Sequence, residues 1–329
     1  MRAPAFWARP PGVLAALLSP AALIWQTVTA RRMARAGSHV GVPVICVGNL
    51  TAGGTGKTPV VCAVLDALTR HGRTPHALSR GYGGSEAGPL RVDPGTHTAA
   101  QVGDEPLLLS AFAPTWIARD RAAGARAAAG AGADTIVLDD GFQNPALHKD
   151  LSLLVIDAEA GFGNGRVIPA GPLREPVAAG LARADLCVLL GPDAARTTFR
   201  AAHPEVTQHP LIEGTLRPLL TGMPWEGLRC FAFAGIGRPA KFFATLRATG
   251  AEVVGTQSFA DHAPYPRPVL QRLLSDAAKL GAQLVTTEKD AVRLPPDLRR
   301  EVLTLPVRVD FADASPLETL LAGLTPDDR

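Results

Sequence analysis

The stretch GNLTAGGTGKTP, residues 48–59, directly follows the β-branched run VPVICV of residues 42–47. A Walker A motif has the form G-x-x-x-x-G-K-[ST] at a turn from a strand into a helix, where backbone N–H groups surround phosphate oxygens. Gly56, Lys57 and Thr58 fit this motif, whereas Thr51 stands where its first glycine is expected. Gly53 and Gly54 still supply backbone freedom, so the stretch predicts a strand, a phosphate-binding loop and a helix.

The loop also assigns roles to individual residues. The lysine of such a loop reaches the β and γ phosphates, and the hydroxyl that follows it binds Mg²⁺. We therefore predict ATP and Mg²⁺ as ligands. The deviant loop of the partitioning ATPases needs a lysine at position 52, and Ala52 argues against that class. The predicted nucleotide-binding residues are Thr51, Ala52, Gly53, Gly54, Thr55, Gly56, Lys57 and Thr58.

Beyond the loop, buried-strand patterns alternate with helical patterns, which is typical of a parallel sheet covered by helices. Between about residues 195 and 228 this pattern weakens, and a second set of strands and helices begins at RCFAFAGI, residues 229–236. We expect an α/β fold with a P-loop NTPase-like parallel sheet, helices on both faces, and a second, smaller α/β domain. The predicted ranges are an N-terminal helical segment 1–40, a P-loop core domain 41–210, a linker 211–228 and a C-terminal α/β domain 229–329.

Composition excludes several classes of protein. The chain has 329 residues, 47% of them hydrophobic and 19% charged, which is ordinary for a folded α/β protein. A net charge of +3 and 5% aromatic residues argue against a nucleic-acid partner. The four cysteines are far apart and form no C-x-x-C pair, which favours reduced core thiols in the cytoplasm. No obligate protein partner is indicated.

The N-terminal segment PGVLAALLSPAALIWQTVTA, residues 11–30, is apolar but interrupted by polar residues and Pro20. Export is rejected, because it would separate the nucleotide loop from ATP. A membrane-spanning helix and a helix packed on the protein's own core remain alternatives. The spacing favours an amphipathic helix in a membrane interface, followed by a basic group. Its apolar stripe comprises Leu14, Leu17, Leu18, Ala21, Trp25 and Val28, and its basic group Arg31, Arg32 and Arg35.

Acidic residues follow two predicted elements. Asp139 and Asp140 end the buried strand DTIVLDD, the place of a Walker B carboxylate that holds a metal ion. Asp104 and Glu105, in QVGDEP, follow a glycine at a predicted helix start, and a simple N-cap is the alternative to a functional role. His262 in FADHAPYP is one of eight histidines, and a single histidine is by itself more often structural.

These motifs together resemble one known family. In order along the chain, GNLTAGGTGKTP, SRGYGG, GDEP, DDGFQ, GNGRVIPAGPLREP, FADH and TTEKDAVRL are similar to the motifs of the tetraacyldisaccharide 4'-kinases, the lipid A 4'-kinases of Gram-negative bacteria. The resemblance covers nearly the whole chain, including the N-terminal helix. It implies transfer of the ATP γ-phosphate to the 4'-hydroxyl of a tetra-acylated, 1-phosphorylated glucosamine disaccharide, at the cytoplasmic face of the inner membrane.

The resemblance also implies residue roles. Lys57 would be catalytic, and Asp104 would orient and activate His262 as the base for the acceptor hydroxyl. Thr58 with Asp139 or Asp140 would hold Mg²⁺. Many relatives carry a polar residue where this chain has Ala263, so only His262 is assigned to the base. The implied substrate contacts are Asn49, Arg80, Tyr82, Arg121, Gln143 and Arg174.

Two other functional classes stay open on the residues alone. A P-loop ATPase or GTPase switch would use water as acceptor, and its hydrolysis would not depend on lipid. A membrane-tethered nucleotide-binding module would not turn ATP over. TEKD, residues 287–290, imitates a guanine-reading motif, but it belongs to the TTEKDAVRL pattern of the kinases.

Overall fold

The computed structural model describes residues 4–219 and 221–324. Its strands are β1 Val44–Gly48, β2 Pro75–Ser79, β3 Leu90–Arg91, β4 Thr115–Ile117, β5 Thr135–Asp139, β6 Leu151–Asp157, β7 Leu186–Leu190, β8 Leu211–Pro218, β9 Arg229–Ala234, β10 Glu252–Ser258, β11 Gln283–Thr287, β12 Leu303–Leu305 and β13 Val307–Phe311. They form a nine-stranded sheet in the order β13-β8-β7-β6-β1-β5-β2-β4-β3 and a four-stranded sheet in the order β10-β9-β11-β12. We call the parts built on these sheets the large and the small domain.

Helices connect most of these strands. In chain order they are a short 3-10 helix Ala5–Ala8, α1 Val13–Met33, α2 Lys57–Arg70, α3 Ala99–Val102, α4 Asp104–Leu109, α5 Arg121–Gly130, α6 Val177–Leu181, α7 Asp193–Ala202, α8 Pro204–Thr207, α9 Pro239–Ala248, α10 Arg267–Lys279, α11 Glu288–Ala291, α12 Pro296–Arg299 and α13 Ser315–Ala322.

The large sheet places the phosphate-binding loop at its centre. Strand β1 pairs in parallel with β5 on one side and with β6 on the other. Every residue of these three strands is buried, because helices cover both faces of the sheet. The carboxyl ends of β1, β5 and β6 therefore lie side by side, where ligands of parallel sheets bind. Only the outermost pairs, β3 with β4 and β8 with β13, are antiparallel.

Two apolar layers hold the helices on the large sheet. Helices α2, α4 and α13 pack on one face, with Leu65 and Leu317 among the buried residues. Helices α5, α6 and α7 pack on the opposite face, around Leu138 and Phe199. The predicted fold class, a parallel sheet with helices on both faces, is confirmed in this architecture.

The small domain repeats the three-layer arrangement with four parallel strands. Phe242 and Phe243 of α9 pack on one face of its sheet. Leu270 and Leu273 of α10 pack on the other face. Each face is covered, as an all-parallel sheet requires.

The sheets divide the chain at other places than the sequence pattern indicated. Residues 211–218, expected to begin a linker, form β8 and extend the large sheet beside β7. The C-terminal domain was expected over residues 229–329, but its last strands separate: Leu303–Leu305 pairs in the small sheet, while Val307–Phe311 returns to the large sheet and pairs with β8. Both segments lie at the sheet edge and are only half-buried, so they lack the continuous apolar run that marks the central strands.

The N-terminal helix α1 lies against the large domain with one narrow face. Ala15, Ala22 and Thr29 are buried, and Leu18 packs against the core beside Ala22. Leu18 was expected on the exposed apolar stripe, and its contact with the core corrects that assignment. The rest of the helix is apolar and exposed, so it is neither a simple core helix nor an evenly amphipathic one. It is also the one helix among the described residues that is long and apolar enough to cross a membrane.

Candidate active site

The phosphate-binding loop joins the end of β1 to the start of α2. Gly56 has a φ of 85°, a left-handed conformation that glycine adopts without strain, and α2 begins at the next residue, Lys57. The N–H groups of the first turn therefore point into the loop, where the helix dipole favours anions. Gly53 and Gly54 are exposed, and a Cβ added at either would meet nothing within 4 Å. A phosphate chain has free access to this backbone.

Neighbouring segments hold the loop in shape. Asn49 is fully buried, donates to the carbonyl of Thr51 at 2.8 Å and accepts from Nζ of Lys57 at 3.1 Å. The N–H of Ala52 donates to the carbonyl of Pro172 at 2.8 Å. Asn49 was expected at the substrate; in the structure its buried side chain contacts the loop and Lys57.

Two aspartates stand at the end of β5, beside the loop. Asp139 is buried, and its Oδ2 accepts from Oγ of Ser79 at 3.3 Å. Asp140 forms a two-pronged contact with Arg174 at 2.7 and 3.1 Å and lies 3.8 Å from Nζ of Lys57. Lysine, loop and both carboxylates thus meet at one point.

The two aspartates differ electrostatically. Burial, reinforced by the charges of Glu105 and Asp140, raises the pKa of Asp139. Burial also acts to raise the pKa of Asp140, but Lys57 and Arg174 outweigh it and lower that pKa below its usual range. Asp140 is therefore an anion already balanced by cations. The charged form of Asp139 is disfavoured by its surroundings, and a bound cation would stabilise it.

These groups fit a magnesium ion. Oδ1 of Asp139 is buried and has no hydrogen-bond partner among the described residues. Thr58 lies in the first turn of α2, half-buried. Mg²⁺ commonly takes only one or two carboxylates and completes its shell with water and phosphate oxygens. That preference agrees with the finding that residues 4–219 and 221–324 contain no group of three or more metal-binding side chains.

Across from the loop, the two domains meet in a carboxylate and imidazole pair. Asp104, at the start of α4 in the large domain, is 4% exposed, and its Oδ2 and Oδ1 lie 2.9 and 3.1 Å from Nδ1 of His262. His262 follows β10 in the small domain. Because Nδ1 faces a carboxylate, it carries the proton, and Nε2 is left free to accept another. The predicted dyad is therefore assembled across the domain interface.

The dyad partners stabilise each other's charged forms. The hydrogen bond to Asp104 raises the pKa of His262, although burial opposes it. Burial raises the pKa of Asp104, but the hydrogen bond to His262 and the charge of Lys289 prevail and lower it.

The backbone of His262 is held in a strained conformation. Its φ is 59°, and only it and Asp140 have a positive φ among the described residues other than glycine. Such residues cost of order 1 kcal/mol and persist where the surroundings fix them. The His262 N–H donates to the carbonyl of Gly235 at 3.1 Å. Arg293 donates to the same carbonyl at 2.9 Å and to that of Ala263 at 2.8 Å, so it clamps both sides of the turn.

A buried aspartate completes this clamp. Asp290 is fully buried and pairs with Arg293. It also accepts from the N–H of Gly235 at 2.9 Å and from the hydroxyl of Tyr265 at 2.6 Å. The side chain of Arg293 is 5% exposed, and its Nε lies 3.6 Å from Asp104. Residues of TTEKDAVRL thus fix the turn that carries the base.

The expected substrate residues surround this centre to different degrees. Tyr82 is 67% exposed, and its ring meets that of His262 edge to face at 5.6 Å. Arg80 is exposed in the same loop. Gln143 is half-buried and donates to Glu175 at 2.9 Å. Arg121, in contrast, is 4% exposed and donates to the carbonyl of Ala118, so it stands behind the site.

The helix α1 runs directly beside the site. The indole N–H of Trp25 donates to the carbonyl of Arg174 at 3.0 Å. Further along, Arg32 donates to the carbonyl of Gln143 at 3.4 Å. The exposed apolar face of α1 is therefore continuous with the opening that holds the candidate substrate residues.

A phosphate-binding loop, paired acids and a histidine from a second α/β domain are the arrangement of a P-loop phosphotransferase. The chain belongs to the tetraacyldisaccharide-1-P 4'-kinase family, whose model matches residues 14–325. It is 59% identical to the tetraacyldisaccharide 4'-kinase of Dinoroseobacter shibae, over 99% of this chain and 98% of that one. It is 56% identical to the enzyme of the same name from a Jannaschia species, over 97% and 98% of the two chains. Membership in this family makes it an ATP-dependent kinase of lipid A biosynthesis.

A solved structure extends the comparison to the fold. The crystal structure of "apo" form LpxK from Aquifex aeolicus in complex with ATP superposes with a TM-score of 0.74 at 27% identity. The match covers 94% of this chain and 99% of that chain. The resemblance inferred from the sequence motifs is confirmed.

Several charged residues of the site were not among those expected. Glu175 is buried, receives two contacts from Arg183 at 2.7 and 2.8 Å, and holds Gln143. Lys289 and Arg293 act on His262 from the small domain. Their only sequence signal was membership in the motifs GPLREP and TTEKDAVRL.

Proposed function

We propose that this kinase transfers the γ-phosphate of ATP to the 4'-hydroxyl of its lipid disaccharide with His262 as the general base, oriented by Asp104. The observation that carries the assignment is the contact of 2.9 Å between the two side chains across the domain interface. Nε2 of His262 would take the proton of the hydroxyl as its oxygen attacks the γ-phosphorus. The bond from that phosphorus to the β-γ bridging oxygen breaks, and ADP leaves.

Lys57 would bind the β and γ phosphates. Its Nζ is already held by Asn49 and lies near Asp140, so the ammonium needs little reorganisation when charge grows on the phosphate oxygens. Thr58, Asp139 and Asp140 would hold Mg²⁺. When bound, Mg²⁺ neutralises charge that develops on the transferred phosphoryl group.

The acceptor would approach from the side of Tyr82. Tyr82 and Arg80 are exposed beside the base, and Arg174 is fixed by Asp140 and Gln143. Arginine suits the anionic and hydroxyl-rich head of a phosphorylated disaccharide. We assign Arg121, Gln143 and Asn49 to the support of these contacts and of the loop, because their side chains are wholly or partly buried.

The lipid chains would remain in the membrane. An acceptor with four acyl chains cannot leave a bilayer without exposing them to water, at about 0.8 kcal/mol for each CH₂ group. The apolar face of α1 and the basic residues Arg31, Arg32 and Arg35 support docking on an anionic membrane surface. We propose that the enzyme sits peripherally on the cytoplasmic face of the inner membrane, where ATP is present.

The contacts of the site argue against the two other functional classes, a nucleotide-driven switch and a degenerate nucleotide-binding module. A nucleotide-driven switch has no need of a buried carboxylate and histidine pair opposite its phosphate-binding loop, and the dyad favours an acceptor hydroxyl over water. A degenerate binding module would have no need to keep Lys57 within 3.8 Å of Asp140, which directly follows β5.

Asp104→Ala, His262→Ala and the double variant test the dyad. Each single change should lower kcat by ~10²-fold or more, the usual contribution of a positioned acid or base. The double variant should be little worse than the worse single variant, because the two residues act as a unit. Losses that multiply in the double variant would contradict the assignment, and ATP affinity checks that the phosphate loop is intact.

A further inference from the structure

Lys289 places a positive charge beside Nε2 of His262, the ring nitrogen that faces away from Asp104. Its Nζ lies 3.4 Å from Nε2 of His262 and 2.9 Å from Oε1 of Glu105, and its side chain is 22% exposed. Glu105 follows Asp104 in α4 of the large domain. One ammonium group therefore faces the dyad and is held from the opposite domain.

The surroundings of His262 otherwise favour its protonated form. Asp104 binds Nδ1, and Asp261 lies 3.7 Å from Nε2. Two carboxylates beside one imidazole stabilise imidazolium, which has no lone pair to accept a proton. The remaining groups that face the dyad are Lys289, Arg293 on the far side of Asp104, Glu105 and the ring of Tyr82.

We propose that Lys289 is a positioning residue that keeps His262 unprotonated and aims its Nε2 at the acceptor hydroxyl. An ammonium N–H can donate to Nε2 only while that nitrogen carries a lone pair. At 3.4 Å the contact is long, so an incoming hydroxyl can replace it, while Glu105 retains the lysine nearby. The charge of Lys289 lowers the pKa of His262 against the raising effect of Asp104, which agrees with this role.

The proposal rests on the role of His262 as the base, and the competing explanation is a simple tether between domains. Lys241 offers the matched control. Its Nζ contacts Glu159 of the large domain at 2.7 Å, so it also joins the two domains through a carboxylate, away from the dyad. Lys241→Met removes its contacts with Glu159 and Asp157, and Lys289→Met removes the contact with Glu105. Only the second change removes a charge beside His262.

The pH dependence of kcat/KM for the lipid acceptor distinguishes the two explanations. Loss of the cation favours imidazolium, so Lys289→Met should shift the acidic limb to higher pH. Relative to wild type, its activity at about pH 6 divided by that at about pH 8 should fall ~3-fold or more, since a tenfold change corresponds to one unit of pKa. Lys241→Met should leave this ratio unchanged, and Lys289→Arg, which keeps the charge, should restore it.

NMR titration of the His262 imidazole gives a readout that does not require activity. Its pKa should rise in Lys289→Met and not in Lys241→Met. An unmoved imidazole pKa together with an unmoved acidic limb, in a variant that melts like wild type, would overturn the proposal. Should Lys289→Met fail to fold, Lys289→Gln carries the same expectation. If His262→Ala retains wild-type activity, the base assignment itself fails, whatever Lys289 does to the imidazole.

Discussion

The exposed face of α1 allows its contribution to membrane binding to be calculated. Leu14, Leu17 and Ile24 are 51%, 72% and 67% exposed, which together equals about two complete side chains of apolar surface. Fully burying one such side chain is worth about 1.5–3 kcal/mol. Replacing all three with serine should therefore weaken membrane binding by about 4 kcal/mol, or ~10²–10³-fold.

Sedimentation with vesicles of phosphatidylethanolamine and phosphatidylglycerol measures this partition. The triple variant should remain in the supernatant, and its KM for the lipid acceptor should rise far more than its KM for ATP. Leu280→Ser is the matched control, because Leu280 is also exposed but lies at the end of α10 in the small domain. Leu18 is left unchanged, since it packs against the core and its loss would destabilise the fold.

Equal sedimentation of the triple variant and wild type, with an unchanged KM for the acceptor, would refute the membrane role of α1. Ile24→Ser alone and the double change of Leu14 and Leu17 to serine, compared by the same sedimentation assay, show which side of the helix enters the bilayer.

Three further changes test the site and its support. Lys57→Ala should lower phosphoryl transfer by ~10²-fold or more at an unchanged thermal midpoint, whereas Lys279→Ala, at an exposed side chain of α10, should have no effect; activity within about tenfold of wild type would exclude the assigned role of Lys57. Removing divalent cations with EDTA should stop transfer, and added Mg²⁺ should restore it, so transfer that persists in EDTA would exclude a metal at Asp139. Arg293→Met leaves the buried Asp290 without its cation and should lower the free energy of unfolding in urea by about 3–5 kcal/mol. Arg299→Met, at an exposed position, should lower it by less than about 0.5 kcal/mol. A similarly small loss in both variants would contradict the role of Arg293 in holding the turn.

The sequence predicted those parts of the site that are local in the chain. A strand, a glycine-containing turn and a lysine at the helix start are specified by neighbouring residues, and two acids at the end of an apolar strand are recognised in the same way. Lys57 and Asp139 are therefore found by reading the chain alone.

The rest of the site depends on contacts between distant segments. Asp104 and His262 are 158 positions apart, and only the family resemblance paired them. Lys289 looks like a surface charge in the sequence, because the carboxylate that neutralises it, Glu105, comes from the large domain. Arg293 and Glu175 are paired nearby in the chain, with Asp290 and Arg183, but the sequence does not indicate that these pairs are buried. Strand β8 was expected to be part of a linker, and β13 was assigned to the C-terminal domain, for a related reason. The pairing that joins them at one side of the large sheet connects segments that flank the small domain in the chain.

Product analysis is the most direct test of phosphoryl transfer to a lipid-linked sugar hydroxyl. Purified protein is incubated with Mg-ATP in detergent or vesicles, with and without the tetraacyl disaccharide 1-phosphate, and the lipid is examined by ³¹P NMR and mass spectrometry. The expected result is a new phosphate monoester at the 4' position of the distal sugar, formed with one ADP for each phosphate and absent with Lys57→Ala. Hydrolysis of ATP to inorganic phosphate at a rate that the lipid does not alter, with no new monoester, would contradict the account.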